Sequence, residues 1–85
     1  MGLYSVFIKR SAERELRALP RKDLKRIVDR IAGLAGDPRP HGAEKLSGTD
    51  RFRVRQGDYR IVYAIDDDSH RVEVVKIGHR RDVYR

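Results

Sequence analysis

Residues 51–65 read RFRVRQGDYRIVYAI, and this stretch decides the fold. Apolar residues alternate with polar or charged ones on both sides of a short segment that contains Gly57. Two alternating runs separated by such a segment are typical of an antiparallel hairpin. One face of the predicted hairpin carries Phe52, Val54, Ile61 and Ile65, and the other carries Arg51, Arg53 and Arg55.

The segments around this hairpin predict the rest of the fold. Residues 3–9 are rich in β-branched and aromatic side chains, which is typical of a short strand. Residues 11–19 predict a helix with one apolar stripe, and a second, more strongly periodic helix opens near Pro20 and stops before Gly36. The Gly- and Pro-rich residues 36–50 predict a loop.

An acidic turn follows the hairpin and leads into a last strand over about residues 70–78. The predicted order is therefore β-α-α-β-β-β. Helices that precede an antiparallel meander indicate an α+β two-layer sandwich, in which a helical hairpin packs on a small antiparallel sheet. With 85 residues, the chain is expected to form a single domain over residues 1–85.

The composition favours a nucleic-acid partner. The chain has 20 basic and 13 acidic residues, a formal net charge of +7, and 15 of the basic residues are Arg. A guanidinium matches two phosphate oxygens and stacks on bases. The chain has no Cys, and its three His lack metal-ligand spacing, so we expect no metal and no cofactor. No segment resembles a signal peptide or membrane span, which indicates a cytoplasmic protein without membrane contact.

Charge converges in two places. Arg53 and Arg55 share one face of a strand, and Arg60 opens the next strand. Guanidinium groups that converge on an open sheet repel each other unless an anion binds between them. Residues 77–85 add a second basic cluster. The alternative interpretation is an evenly solvated polar face with a solvated basic tail.

Two motifs resemble a known family. Residues 57–63 (GDYRIVY) and 77–85 (IGHRRDVYR), with PRP at 38–40 and KLSG at 45–48, resemble the RelE branch of the RelE/ParE toxin superfamily. The resemblance covers nearly the whole chain. It implies the RelE-like fold and the toxin of a type II toxin–antitoxin pair, an endoribonuclease that cuts messenger RNA in the ribosomal A site.

The resemblance also implies site residues and partners. The implied catalytic residues are Arg53, Arg55, Arg60, Arg80 and Tyr84. His79 joins them as a candidate because its imidazole titrates near neutral pH. We expect the basic residues Lys45, Arg51, Arg81 and Arg85 to bind RNA. The expected partners are a cognate RelB-like antitoxin and a ribosome with mRNA in its A site, in a bacterial or archaeal cytoplasm.

These residue types suit RNA cleavage without a metal. The ribose 2′-OH would attack the adjacent phosphorus, leaving a 2′,3′-cyclic phosphate and a 5′-OH, and positive charge would stabilise the transition state. Arg is a poor proton carrier because its pKa lies above about 12, so His79 and Tyr84 are the titrating candidates. Strand alternation places His79 and Arg80 on opposite sides, and we expect Arg80 to face the phosphate.

Two other functions are compatible with the sequence. A ParE-like relative would inhibit DNA gyrase by binding it without catalysis. A small RNA-binding module without activity would need an aromatic stacking platform, but Phe52 and Tyr63 alternate toward the predicted core. The basic residues on the hairpin and near the C-terminus favour the ribonuclease.

Overall fold

The computed structural model describes residues 3–79, and the elements follow the predicted order with one addition. Their bounds are β1 Ser5–Ile8, α1 Arg10–Arg17, α2 Arg21–Gly33, β2 Glu44–Lys45, β3 Arg51–Gln56, β4 Tyr59–Asp66 and β5 Arg71–His79. The two helices pack on a five-stranded sheet, which confirms the α+β two-layer fold.

The predicted antiparallel meander of β3, β4 and β5 is confirmed, but the sheet as a whole is mixed rather than antiparallel. The strand order is β1-β5-β4-β3-β2, and β1 lies parallel to β5, with Ser5 opposite Arg71 and Ile8 opposite Val74. The other pairs are antiparallel. Both helices and three strands separate β1 from β5 along the chain. Local alternation does not indicate which distant strand a segment pairs with.

The two-residue strand β2 lies inside the segment that the sequence predicted as a loop. Glu44 pairs with Arg53, and Lys45 pairs with Phe52, at the edge of the sheet. A strand of two charged residues is too short to show the apolar–polar alternation from which strands are predicted. This strand exists because β3 offers a free edge, which is a property of the tertiary fold.

The core lies between the helices and one face of the sheet. The predicted inward residues Val54 and Ile61 are fully buried, while Phe52 and Ile65 pack against the core with partial exposure. Both helices contribute the apolar stripes that the sequence predicted. The other buried core residues are Ala12, Leu16, Ile27, Ile31, Leu34, Tyr63, Val72, Val74 and Ile77.

The turn between β3 and β4 sets the register of the central hairpin. Gly57 has a φ of 60°, a conformation that glycine adopts without steric cost. The two-residue loop Gly57-Asp58 closes the pair between Gln56 and Tyr59. Every other pair along β3 and β4 follows from this closure, because residues pair one by one from the turn.

Polar contacts hold the loop before β2 against the sheet. The Arg39 guanidinium donates two hydrogen bonds to Asp67, at 3.2 and 2.9 Å, and the Tyr4 hydroxyl donates a third at 2.6 Å. The buried Tyr63 hydroxyl donates to the Pro38 carbonyl oxygen at 2.7 Å. Burial raises the pKa of Tyr63 to about 12, which keeps this hydroxyl protonated as a donor.

The Asp67 contacts predict a pH dependence of stability. Hydrogen bonds from Arg39, and then from Tyr4, lower the pKa of Asp67 to about 2 from its ordinary 3.8. A carboxylate with a lowered folded-state pKa stabilises the fold above the unfolded-state pKa, and this contribution disappears as the pH falls toward 2. We therefore expect Asp67→Asn to lower the urea midpoint most above pH 4 and hardly at all at pH 2. Asp68→Asn in the same turn is the control, and an equal effect of both variants would contradict this account.

Candidate nucleic-acid interface

The sheet face that points away from the helices, called the open face here, carries the predicted basic residues. Within residues 3–79, neither helix packs on it. The strand register brings four cations together at one end of this face. We call this set the basic end; its members are Arg53, Arg55, Arg60 and Lys76.

Arg55 and Arg60 form a direct cross-strand pair. Residues directly opposite in an antiparallel pair have Cβ atoms about 4.5–5.5 Å apart, and like charges in such a pair destabilise the sheet. Arg55 is exposed, whereas Arg60 is only 7% exposed, and its guanidinium donates a 3.4 Å hydrogen bond to the Tyr59 carbonyl oxygen. The pair combines a buried arginine with an exposed one, and a bound anion would relieve their repulsion.

Arg53 lies on the same face and is held by the edge strand. Its guanidinium donates to the Glu44 carboxylate at 2.7 Å. The Arg53 side chain is 23% exposed, and that of Glu44 is 65% exposed. Glu44 therefore orients Arg53 along the open face. The sequence did not indicate Glu44 as part of the site, because β2 was not predicted.

A β-bulge changes which residues of β5 face the basic end. Val62 pairs with Lys76, but the next residue of β4, Tyr63, pairs with Val74, so Val75 is an extra residue in β5. Beyond the bulge, Lys76 lies on the open face. Bulges redirect side chains in this way beside functional sites.

Helix α1 supplies a hydrogen-bond acceptor beside the bulge. The Ile77 backbone N–H donates to the Glu15 carboxylate at 3.1 Å in a partly buried position. Strand β1 ends opposite Val74, so β5 runs on past its parallel neighbour. The Glu15 carboxylate therefore accepts the hydrogen bond that a neighbouring strand would otherwise accept from the Ile77 N–H. This bond links helix α1 to the part of β5 that borders the basic end.

The opposite end of the open face is acidic. Glu73 and Asp66 lie there on β5 and β4, beside the turn that follows β4. Together with Asp50, Asp67 and Asp68 they line a shallow concavity whose other lining residues include Phe7 and Arg71. A polyanion is attracted to the basic end and repelled from the acidic end, so the charge distribution restricts where it can lie.

The remaining predicted site residues are distributed on both faces. Arg51 is exposed on the open face, opposite Ala64. Lys45 and His79 lie on the helix side, because Lys45 pairs with Phe52 and His79 pairs with Tyr59. The His79 and Tyr59 rings meet edge to face with their centroids 5.9 Å apart. The predicted residues Arg80, Arg81, Tyr84 and Arg85 lie outside the described residues.

The basic end suits anion binding on a pre-formed surface. Its members project from paired strands, and the other face of these strands packs against the buried core.

Among residues 3–79, no group of three His, Asp or Glu could hold a metal ion. Neither helix of this segment has the length and apolar character needed to cross a bilayer.

Comparison with known families identifies relatives of this chain. The family model described as "ParE toxin of type II toxin-antitoxin system, parDE" matches residues 6–84. The chain belongs to the RelE/ParE toxin family. Among its relatives, Toxin RelE of Mycobacterium tuberculosis is 39% identical, over 96% of this chain and 87% of the relative.

Solved structures place this toxin in the RelE branch. The toxin–antitoxin complex RelBE2 of M. tuberculosis contains a chain that is 30% identical, with a TM-score of 0.82 over 92% of this chain and 99% of that one. The archaeal RelE–RelB complex of Pyrococcus horikoshii gives 28% identity and a TM-score of 0.84, over 95% and 99% respectively. The resemblance inferred from residues 57–63 and 77–85 is confirmed.

The bulge contact predicts a stability difference between two glutamates of α1. Removing a partly buried acceptor costs about 1–3 kcal/mol, so Glu15→Ala should lower the free energy of unfolding of this toxin by that amount. Glu15→Gln should retain most of it, because the amide oxygen can still accept the Ile77 N–H. Glu13 forms only an exposed ion pair with Arg17, so Glu13→Ala should cost about 0.5 kcal/mol or less.

Denaturant unfolding of the three variants measures these differences. If Glu15→Ala were as mild as Glu13→Ala, the hydrogen bond to the Ile77 N–H would not stabilise the fold.

Proposed function

We propose that this RelE-type toxin is a ribosome-dependent endoribonuclease that cleaves messenger RNA in the A site and so stops translation. The observation that carries the proposal is the cross-strand pair of Arg55 and Arg60, with Arg53 on the same open face. Such a set of guanidiniums suits a phosphate that gains negative charge during the reaction. The choice of messenger RNA as the substrate, and of the ribosome as the place of cleavage, rests on the resemblance to RelE.

In the proposed reaction, the ribose 2′-oxygen forms a bond to phosphorus and the bond to the 5′-oxygen breaks. The products are a 2′,3′-cyclic phosphate and a 5′-OH. Arg55 and Arg60 hold the non-bridging oxygens, and Arg53, oriented by Glu44, adds positive charge beside them. All the groups assigned to charge stabilisation come from side chains, so the proposed reaction needs no metal ion or cofactor.

The proton transfers are assigned to the C-terminal residues of the predicted set. The 2′-OH must lose a proton and the 5′-oxygen must gain one, and Arg side chains do not carry protons readily. His79 faces the helices and would have to leave its ring contact with Tyr59 to reach the open face. We therefore propose that Tyr84, rather than His79, takes part in the proton transfers, while Arg80 adds positive charge at the scissile phosphate.

A RelB-like antitoxin is the proposed partner that silences this toxin. The similar M. tuberculosis and P. horikoshii structures are both toxin–antitoxin complexes. The formal net charge of +7 favours an antitoxin whose toxin-binding part is acidic. We propose that the toxin acts in the cytoplasm, where ribosomes and messenger RNA are found.

A gyrase inhibitor is the second candidate function, because the matching family model is described as a ParE toxin. Binding alone would not require several arginines side by side on one sheet face. The paired Arg55 and Arg60, together with the 39% identity to Toxin RelE of M. tuberculosis, favour the ribonuclease.

One experiment separates the two functions. The purified toxin is added to a coupled translation reaction, the 5′ ends of the messenger are mapped, and gyrase supercoiling is assayed in parallel. We expect cuts at codon boundaries that require ribosomes, with supercoiling unaffected. Loss of supercoiling with an intact messenger would instead establish the gyrase inhibitor.

The role of the basic end is tested by removing one exposed guanidinium. Arg55→Ala should lower the cleavage rate on ribosomes about 100-fold, because a charge that stabilises the transition state is lost. Arg55 is exposed, so the free energy of unfolding should hardly change. Arg80→Ala should have a similar effect on the cleavage rate.

Arg26→Ala on the exposed side of α2 is the matched control. It removes the same charge from the opposite layer of the protein and should leave the cleavage rate within about twofold of wild type. If Arg26→Ala and Arg55→Ala reduced cleavage equally, general charge rather than the basic end would carry the activity.

A further inference from the structure

Lys76 is the member of the basic end that the sequence did not indicate. Val72 and Val74 face the core, and uninterrupted alternation would place Lys76 there with them. The extra residue Val75 shifts the alternation by one position. Ile77 therefore fills the core, where it is 1% exposed, and Lys76 turns to the open face.

The packing of Val62 supports this placement. Val62 lies on the open face, outside the core cluster, yet it is only 4% exposed. Its two cross-strand neighbours are Arg53 and Lys76. Long basic side chains lay their aliphatic stems over apolar neighbours and keep their charged ends in water. Lys76 is thus held along the surface rather than extended freely into solvent.

Lys76 lies next to the paired arginines. Arg60 pairs with Gly78 on β5, and Lys76 is two residues before Gly78 on the same face. Diagonal neighbours in a sheet have Cβ atoms about 7–8 Å apart, within reach of long side chains. Gly78 has no side chain, so β5 places nothing above the sheet beside Arg60 that would separate it from Lys76.

The charge environment of Lys76 favours an external anion. Among residues 3–79, Lys76 forms no ion pair within 4.0 Å. Glu73, the acidic residue of β5 on this face, lies beyond the bulge at the acidic end. The Lys76 ammonium adds to the positive charge at this end of the sheet, and a phosphate bound among these groups would offset that charge.

We propose that Lys76 contacts the substrate and binds a backbone phosphate of the RNA next to the phosphate held by Arg55 and Arg60. This proposal rests on the ribonuclease function proposed above. The β5 bulge then contributes to RNA binding, because without the extra Val75 the Lys76 ammonium would not reach the open face.

The test uses Lys76→Met, which keeps an unbranched stem over Val62 and removes the charge. Cleavage of messenger RNA on programmed ribosomes should fall about tenfold in kcat/KM, the effect expected for one lost charge-assisted contact. Lys76→Arg should restore activity to within about threefold, since it returns the positive charge. Lys25→Met on the exposed face of α2 is the matched control and should match wild type.

A modified substrate distinguishes contact with one phosphate from general attraction. Messengers with a single uncharged methylphosphonate, placed in turn on each side of the scissile phosphate, are cleaved by wild type and by Lys76→Met. At the phosphate that Lys76 binds, the variant and the modification should together cost no more than either alone. A purely structural role for Lys76 would give the same loss with every substrate and would overturn the proposal.

The two proposals fail in different ways. If wild type cleaves and Lys76→Met cleaves equally well, the Lys76 contact is overturned and the ribonuclease function stands. If wild type does not cleave, both are overturned. Thermal unfolding checks that Lys76→Met is folded, and Lys76→Gln replaces it if it is not.

Discussion

The pairing register of the β3–β4 hairpin is the constraint on which the rest of the structure depends. The two-residue turn at Gly57 closes the pair between Gln56 and Tyr59, and the next pair along is Arg55 with Arg60. The same register buries Val54 opposite Ile61. A slip of one residue would send the arginines into the core and the apolar residues into water, so core formation and site formation are one event.

The core thereby supports an arrangement that is unfavourable by itself. Burial of apolar side chains under the helices offsets the repulsion between guanidiniums on the opposite face of the same strands. Because Val54 and Ile61 are fully buried, the strands that carry the basic end are held firmly. Under the proposed function, this site would need little reorganisation to receive a phosphate, and the ribosome would supply much of the substrate positioning.

Four polar contacts extend this order from the core to the borders of the site. Asp67 and the Tyr63 hydroxyl fix the loop that leads to β2, and β2 brings Glu44 to Arg53. Along β5, the Glu15 carboxylate accepts a hydrogen bond from the Ile77 N–H beside the bulge. The helical layer and the loop therefore position charged residues on a face that neither of them covers.

Local periodicity in the sequence determined the hairpin, both helices, most of the core and the shared face of Arg53 and Arg55, because these depend on neighbours along the chain. The motifs at residues 57–63 and 77–85 also identified the family. Only the tertiary structure decided the parallel pairing of β1, the edge strand β2 and the faces taken by Lys45 and Lys76. Each of these depends on hydrogen bonds between strands rather than on the pattern within one strand. A single extra residue in β5 reverses the face that alternation alone would assign.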